Sequence, residues 1–435
     1  MTNSRQAPRP DVVQEVLETT AAFYGDRALA ALRHQVASSR ASLTFILWSV
    51  AILRRSRIGL ILLLCGALIF YPRKWFAGTR TDIYAVSLTH NNTRALERIA
   101  PELAAQGYAY QNNNKRISWR IRMLQLRRCS NMVSRLHELG APDEFVFLNQ
   151  LFTMICFGLF EADLKKASSR LVLVANDHSP PTIAVLAAAR TLNIKTCYIQ
   201  HGPVTEHFPP LTVNLALLFS QKARSCYLSA AQRHKTPLAT KICLLPPLED
   251  PVEALRSPPS PFKICVALSK FVDRHQFQDL LARLLETPQI AEVYISRHPR
   301  CEMALENLTD DDTRIRILPR GTTAQQICRD ADVCLVGNSG VAIEFLHFGC
   351  PTFYIPPADP NQYDYYGFCD AGVLPVFTFD LLDKPTDMAR SFDAAWMNAI
   401  VQFDPGFAKD QYDYRGQIRD QLASLLPTPC NVIPH

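Results

Sequence analysis

From Asp82 onward, short apolar runs alternate with segments of helical spacing. "DIYAVSL" reads as a buried strand and is followed by a helix over 92–106. "RLVLVAN" (strand), "TIAVLAAARTLN" (helix), "KTCYIQHG" (a strand ending in a loop) and "VNLALLFS" (strand) come next. Fully apolar strands separated by helices predict a parallel sheet covered on both faces. The pattern then breaks: six prolines fall between Pro246 and Pro261, too many for a strand or helix and well placed for an interdomain linker. It restarts with "FKICVALS", a helix over 276–285, "EVYISRHP", "RIRIL" and a helix over 323–329. "DVCLVGNSGVAIEFLHFGCPTFYI" completes it as strand, tight loop, helix and strand.

The predicted fold class is therefore α/β, with two Rossmann-like domains facing a cleft. The acceptor-side domain spans 81–248, the linker 249–261, the second domain 262–375, and a helical tail 376–435. Two such halves place the functional cleft outside the carboxyl ends of their strands.

Residues 1–80 read as a helical, membrane-anchoring region. Two apolar runs within 42–71 are separated by Arg54, Arg55, Ser56 and Arg57. As a helix the second run is about 21 Å long, against roughly 30 Å of hydrocarbon. One continuous helix through both would bring three arginines near the bilayer centre, at roughly 3 kcal/mol each. Basic residues flank both outer ends, so the expectation is a monotopic or re-entrant anchor on the cytoplasmic face of the inner membrane. A two-helix hairpin and a pair of soluble core helices are the alternatives. A second basic stretch, 114–136, suits anionic headgroups or an ordinary solvated helix; no recognition motif accompanies it, so nucleic acid is not an expected partner.

Composition narrows this little further. With 435 residues, 48% hydrophobic, the chain can bury large cores, and a net charge of +6 suits a membrane surface or a phosphorylated substrate. Its 13 cysteines include no CxxC pair and sit mostly in apolar runs, which reads as reduced core residues, not as a disulfide or zinc framework. The first twenty residues lack the apolar core of a cleaved secretory signal.

Candidate chemistry gathers at four strand ends. "VANDHSPPT" offers Asn176, Asp177 and His178, and "YIQHGP" offers Gln200, His201 and Gly202. "YISRHPR" offers Arg297, His298 and Arg300, and "LVGNSG" offers Asn338, Ser339 and Gly340. The last is a loop opening a helix, whose unpaired N–H groups make a seat for phosphate. Glu344 follows Ser339 by five residues, so a phosphate at the helix start leaves an attached ribose near its carboxylate. No G-x-S-x-G elbow is present, which argues against a hydrolase.

The run from Ser339 to Pro351, Ser-Gly-x-x-x-Glu-x-x-x-x-Gly-x-Pro, resembles the nucleotide-sugar helix of GT-B glycosyltransferases and of non-hydrolysing nucleotide-sugar 2-epimerases. With "QHG" and "RHP", the chain from Asp82 to Pro375 resembles bacterial surface-polysaccharide transferases, CDP-glycerol glycerophosphotransferases and capsule transferases using CMP-activated acidic sugars being the nearest groups. Where the glycerophosphotransferase loop carries a pair of hydroxyl residues, this one has Asn338-Ser339-Gly340. The resemblance implies that His298 and Ser339, with the Ser339 and Gly340 amides, hold the donor phosphate and Glu344 the ribose, Arg297 and Asn338 standing beside them. It implies a base among Asp177, His178 and His201, no cofactor, no metal, and inverting transfer from a CMP- or CDP-type donor to a lipid-linked or polysaccharide acceptor. An epimerase and a non-catalytic membrane scaffold are the competing expectations, and the apolar runs at 42–71 argue against the epimerase.

Overall fold

Two wholly parallel sheets organise the chain, one of six strands and one of five. The structure, a computed structural model, describes residues 10–24, 41–70, 76–77, 79–108, 110–113, 143–246, 248, 250, 252–269, 272–298, 301, 303, 305, 312–356, 364–383, 388, 390–408 and 414–426. The basic stretch at 114–136 and Arg300 lie outside the described residues.

Helices α1 (Pro10–Tyr24), α2 (Ala41–Leu53) and α3 (Arg57–Phe70) precede the first sheet. The first half then runs β1 (Ile83–Val86), α4 (His90–Glu97), α5 (Ala100–Ala105), β2 (Tyr110–Asn113), α6 (Glu144–Ala167), β3 (Leu171–Val174), α7 (Pro180–Thr191), β4 (Lys195–Ile199), β5 (Leu215–Leu218), α8 (Gln221–Arg233) and β6 (Lys241–Leu244). The second half runs β7 (Phe262–Leu268), α9 (Arg274–Glu286), β8 (Ile290–Arg297), β9 (Ile315–Ile317), α10 (Ala324–Asp330), β10 (Val333–Val336), α11 (Val341–His347) and β11 (Thr352–Tyr354). Helices α12 (Asp380–Asp383), α13 (Ala394–Val401) and α14 (Tyr414–Leu425) follow.

Strand order is β2-β1-β3-β4-β5-β6 in the first sheet and β11-β10-β7-β8-β9 in the second. The direction of winding reverses between β1 and β3 and between β7 and β10. These are the switch points at which an open parallel sheet leaves a crevice at its carboxyl edge.

Three features depart from the pattern-based expectation. The helix expected over 92–106 is two, α4 and α5, because Pro101 has no N–H for the Glu97 carbonyl and its ring crowds that position. Helix α6 was not expected at all. By length and composition it is the one described helix apolar enough to cross a membrane, yet 78% of its most apolar window is buried. Being apolar all round, it serves as a core helix between α1 and α7. The carboxyl-terminal tail is not a separate appendage: α14 returns to the first half, where Ile418, Leu422 and Leu426 are buried with Ile83, Leu171 and Leu215. Arg419 adds a 3.1 Å ion pair to Glu102.

The amino-terminal helices are likewise tied to the first core. Val16 and Leu17 of α1, Val50 of α2, and Leu60, Leu64 and Leu68 of α3 are all buried in it. The α2–α3 turn is sharp enough that a Cβ on Gly59 would lie 2.0 Å from the Leu53 carbonyl oxygen, so only glycine fits. Arg54 in that turn makes a 2.6 Å ion pair with Glu144 at the start of α6. The outward face is apolar: Phe45, Trp48 and Ile58 are 65%, 61% and 74% exposed.

In the second half a buried histidine ties three segments together. His347, at the end of α11, places Nδ1 2.8 Å from the Asp404 carboxylate and Nε2 2.6 Å from the Asp250 carbonyl oxygen. Neither acceptor can donate, so both ring nitrogens carry protons and the ring is an imidazolium. Burial works against that charge, but the Asp404 carboxylate and the Asp250 carbonyl outweigh it and raise the histidine above its ordinary value.

Candidate functional site

The carboxyl edges of both sheets open onto one cavity of about 640 Å³. Its second-half wall begins at the β7/β10 switch point, with Ser269 beyond β7 and Asn338 beyond β10, and continues through Ser339, Gly340 and Glu344. His298 joins from the end of β8, its amide donating to the Leu268 carbonyl at 3.2 Å. Helix α11 is only seven residues long and carries no side-chain cap at its start. Among the described residues, neither the Ser339 nor the Gly340 amide donates to another group, and both residues line the cavity.

The first-half wall is built around Gln200 and His201. Gln200 shapes the loop: its side-chain amide donates to the Gly202 carbonyl at 2.7 Å and its carbonyl accepts the Phe219 amide at 2.7 Å. His201 and Gly202 face the cavity, and Pro203 crosses to the other half. A Cβ on Gly340 would sit 2.7 Å from Pro203 Cδ, so the two loops touch and glycine is needed at 340 for that approach.

Residues that sequence reasoning passed over supply the charge. Arg94 and Arg98, one helical turn apart at α4, and Lys222, near the start of α8, bring three cations to the first-half wall. Arg98 also donates to the Pro246 carbonyl at 2.7 Å and lies over the Phe219 ring. The signal was available, since α4 follows β1 at a switch point and its arginines are spaced i, i+4. Glu344 is the lining carboxylate. Burial raises it above the usual carboxylate range, opposed chiefly by the positive charge of Arg94 from the facing half. A basic cavity with one half-buried carboxylate is suited to a ligand that is anionic at one end and rich in hydroxyls at the other.

The nine residues to which the resemblance gives roles separate in the structure. His201, His298, Asn338, Ser339, Gly340 and Glu344 all line the cavity. Arg297 does not; it is the last residue of β8, in register with Leu268. Asp177 and His178 do not line it either. Asp177 is 8% exposed, accepts from the Tyr227 hydroxyl at 2.5 Å and lies 2.7 Å from His178 Nδ1. The His178 ring is in turn packed between Phe23 and Phe208, with centroids 4.7 and 4.6 Å away. Asp177 is therefore a buried partner and not a group that meets substrate: folding turns it toward α8 and away from the cavity.

That leaves His201 as the member of the trio facing the cavity. Burial pushes its imidazole down to about 4, the nearby Asp177 carboxylate opposing and His178 reinforcing the shift. The ring is neutral at pH 7. Its buried Nδ1 has no hydrogen-bond partner among the described residues. A neutral imidazole carries one nitrogen without a proton, which can accept one from a hydroxyl brought against it.

No family model matches the chain, and no curated protein matches it. Similar solved structures include CalG4, the calicheamicin glycosyltransferase, at 14% identity over 82% of this chain and 100% of that one, with a TM-score of 0.46. The glycosyltransferase SnogD from Streptomyces nogalater matches at 14% identity over 79% and 99%, with a TM-score of 0.41. The UDP-GlcNAc 2-epimerase from Methanocaldococcus jannaschii matches at 12% over 79% and 98%, with a TM-score of 0.42. At such identities and TM-scores, none of the three bears on what this chain does.

Proposed function

We propose that the protein is a membrane-associated GT-B glycosyltransferase, moving a sugar or sugar-like group from a nucleotide-activated donor to a lipid-linked or growing surface glycan. The observation that carries this reading is the meeting of His201 and the Asn338-Ser339-Gly340 loop across one basic cavity, with Glu344 beyond them. In the proposed arrangement the Ser339 and Gly340 amides and His298 hold the donor phosphate. Glu344 accepts hydrogen bonds from the ribose. Arg94, Arg98 and Lys222 offset the charge that builds on the departing nucleotide. His201 takes the proton of the acceptor hydroxyl as it attacks, and the leaving phosphate carries away the bonding electrons. Asp177 acts through His201, its carboxylate favouring the imidazolium as the proton arrives.

The apolar outer face of α2 and α3 supports membrane association. Neither helix, at 13 and 14 residues, reaches across roughly 30 Å of hydrocarbon. Arg54 holds the turn between them against Glu144 on the protein body. Helices held by one face and apolar on the other lie in the interface plane. The reading puts the enzyme on the cytoplasmic face of the inner membrane, where nucleotide donors and lipid-linked acceptors meet.

A thermal-shift series against CMP, CDP, UDP, GDP and dTDP tests the reading, because a ligand that binds only the folded chain raises its melting temperature. A rise with a cytidine nucleotide is expected. A rise with UDP alone, together with interconversion of epimeric UDP-sugars, would identify an epimerase; no response to any nucleotide would leave a scaffold.

A further inference from the structure

Four cysteines from four separate segments of the second half meet beside α11. Cys334 lies in β10 and Cys265 stands beside it in register on β7; Cys328 lies in α10, and Cys350 in the turn before β11. The sulfur atoms of Cys328, Cys334 and Cys350 all lie within 4.8 Å of one another, and those of Cys334 and Cys350 are 3.4 Å apart. A point equidistant from three atoms so spaced is about 2.6 Å or less from each, against about 2.3 Å for a zinc–thiolate bond. Neighbours in register on parallel strands point to the same face, so Cys265 stands beside Cys334 at the edge of this trio, outside the set of sulfurs that lie within 4.8 Å of one another.

All four are buried, Cys328 the least so at 3%. The cluster is therefore closed to solvent, as structural four-thiolate sites are, with no open position for a substrate. Four thiolates around a dication leave a net charge of about minus two, which a dry core tolerates only beside a compensating cation. Arg256 of the linker supplies one: its guanidinium donates to the Cys328 carbonyl and to that of Gly349, next to Cys350. An all-sulfur donor set is soft and suits Zn²⁺.

We propose that Cys328, Cys334 and Cys350 form the core of a structural zinc site, with Cys265 turning in from β7 as the fourth donor, that ties α10, β10 and the α11–β11 turn together beside the cleft. Loading the ion displaces the thiol protons to solvent, so occupancy falls as pH falls. The site is independent of which reaction the cleft performs.

The test is metal analysis of the full chain purified without chelator, followed by Co²⁺ exchange. About one zinc per chain is expected, with a thiolate-to-cobalt charge-transfer band on exchange. The Cys328→Ser/Cys350→Ser variant should lose both, and Cys65→Ser, a cysteine of α3, should keep them. Should the double variant fail to fold, stripping zinc from the wild-type chain with a thiol-reactive mercurial decides instead: release of about one equivalent together with a lowered melting temperature supports the site. Less than about one-tenth of an equivalent in the wild-type chain with no cobalt band, or metal retained by the folded double variant, would overturn it.

Discussion

His201 and His347 sit in different halves of the molecule, and folding shifts their protonation in opposite directions. His201 faces the cavity with its Nδ1 unpartnered among the described residues, and burial leaves the ring neutral. His347 is more deeply buried, yet an acceptor at each nitrogen keeps it charged. Partners, and not depth, decide the charge of a buried imidazole. The neutral ring of His201 keeps proton-accepting capacity. His347 has used both nitrogens to fasten the segments around Asp250 and Asp404 to α11, which is a structural role.

The largest effect should come from the open ring. His201→Ala should lower turnover by about 10²- to 10⁴-fold, the range of a lost general base, while nucleotide affinity stays unchanged. Equal loss of affinity and turnover would place His201 among the binding residues. Next, His347→Ala should destabilise the fold by about 3–5 kcal/mol in denaturant titrations, because it strands the Asp404 carboxylate in the core. The His347→Leu/Asp404→Leu double variant should cost less than His347→Ala alone; a larger cost would mean that the pair is not a buried ion pair.

Gly340→Ala should cost about 1–3 kcal/mol, since its Cβ meets the Pro203 ring, and Pro203→Ala should recover part of that. Additive losses would show that the two loops do not touch in solution. Smallest is the pH dependence of stability, where the two rings pull in opposite directions. His201, depressed on folding, subtracts stability as pH falls from about 6.5 toward 4, because the unfolded chain takes up the proton first. His347, raised on folding, contributes fully below about 6.5, and its contribution fades as pH climbs through the folded value. His201→Gln should therefore flatten the acid side of the stability profile and His347→Gln the neutral-to-alkaline side; an unchanged acid side in the first variant would contradict a neutral His201.

Local pattern reaches one of these histidines and not the other. The strands, the proline linker and the Gly337–Gly340 turn are written in contiguous residues, where apolar runs and punctuating glycines report directly on backbone geometry. His201 is legible for the same reason, as the residue leaving an apolar strand. His347 looks like an ordinary helix-end histidine, because its partner Asp404 lies 57 residues further on. The same distance effect hides the docking of α14 on the first half and the convergence of Cys328, Cys334 and Cys350. Asp177, His178 and His201 read alike as polar strand exits; side-chain direction alone separates them, and that is set by Tyr227, Phe23 and Phe208, none of them a sequence neighbour. Helix α6 is invisible to periodicity because it has no polar face to mark its period.

The measurement that bears most directly on the account is calorimetric titration of the preferred nucleotide into the wild-type, Glu344→Ala and His201→Ala proteins. Loss of the ribose contacts should weaken binding about tenfold in Glu344→Ala, roughly 1.4 kcal/mol, and leave it unchanged in His201→Ala. Equal affinity in all three proteins would contradict a nucleotide seat at the Asn338–Glu344 wall, and with it the division of the cleft into a binding side and a proton-accepting side.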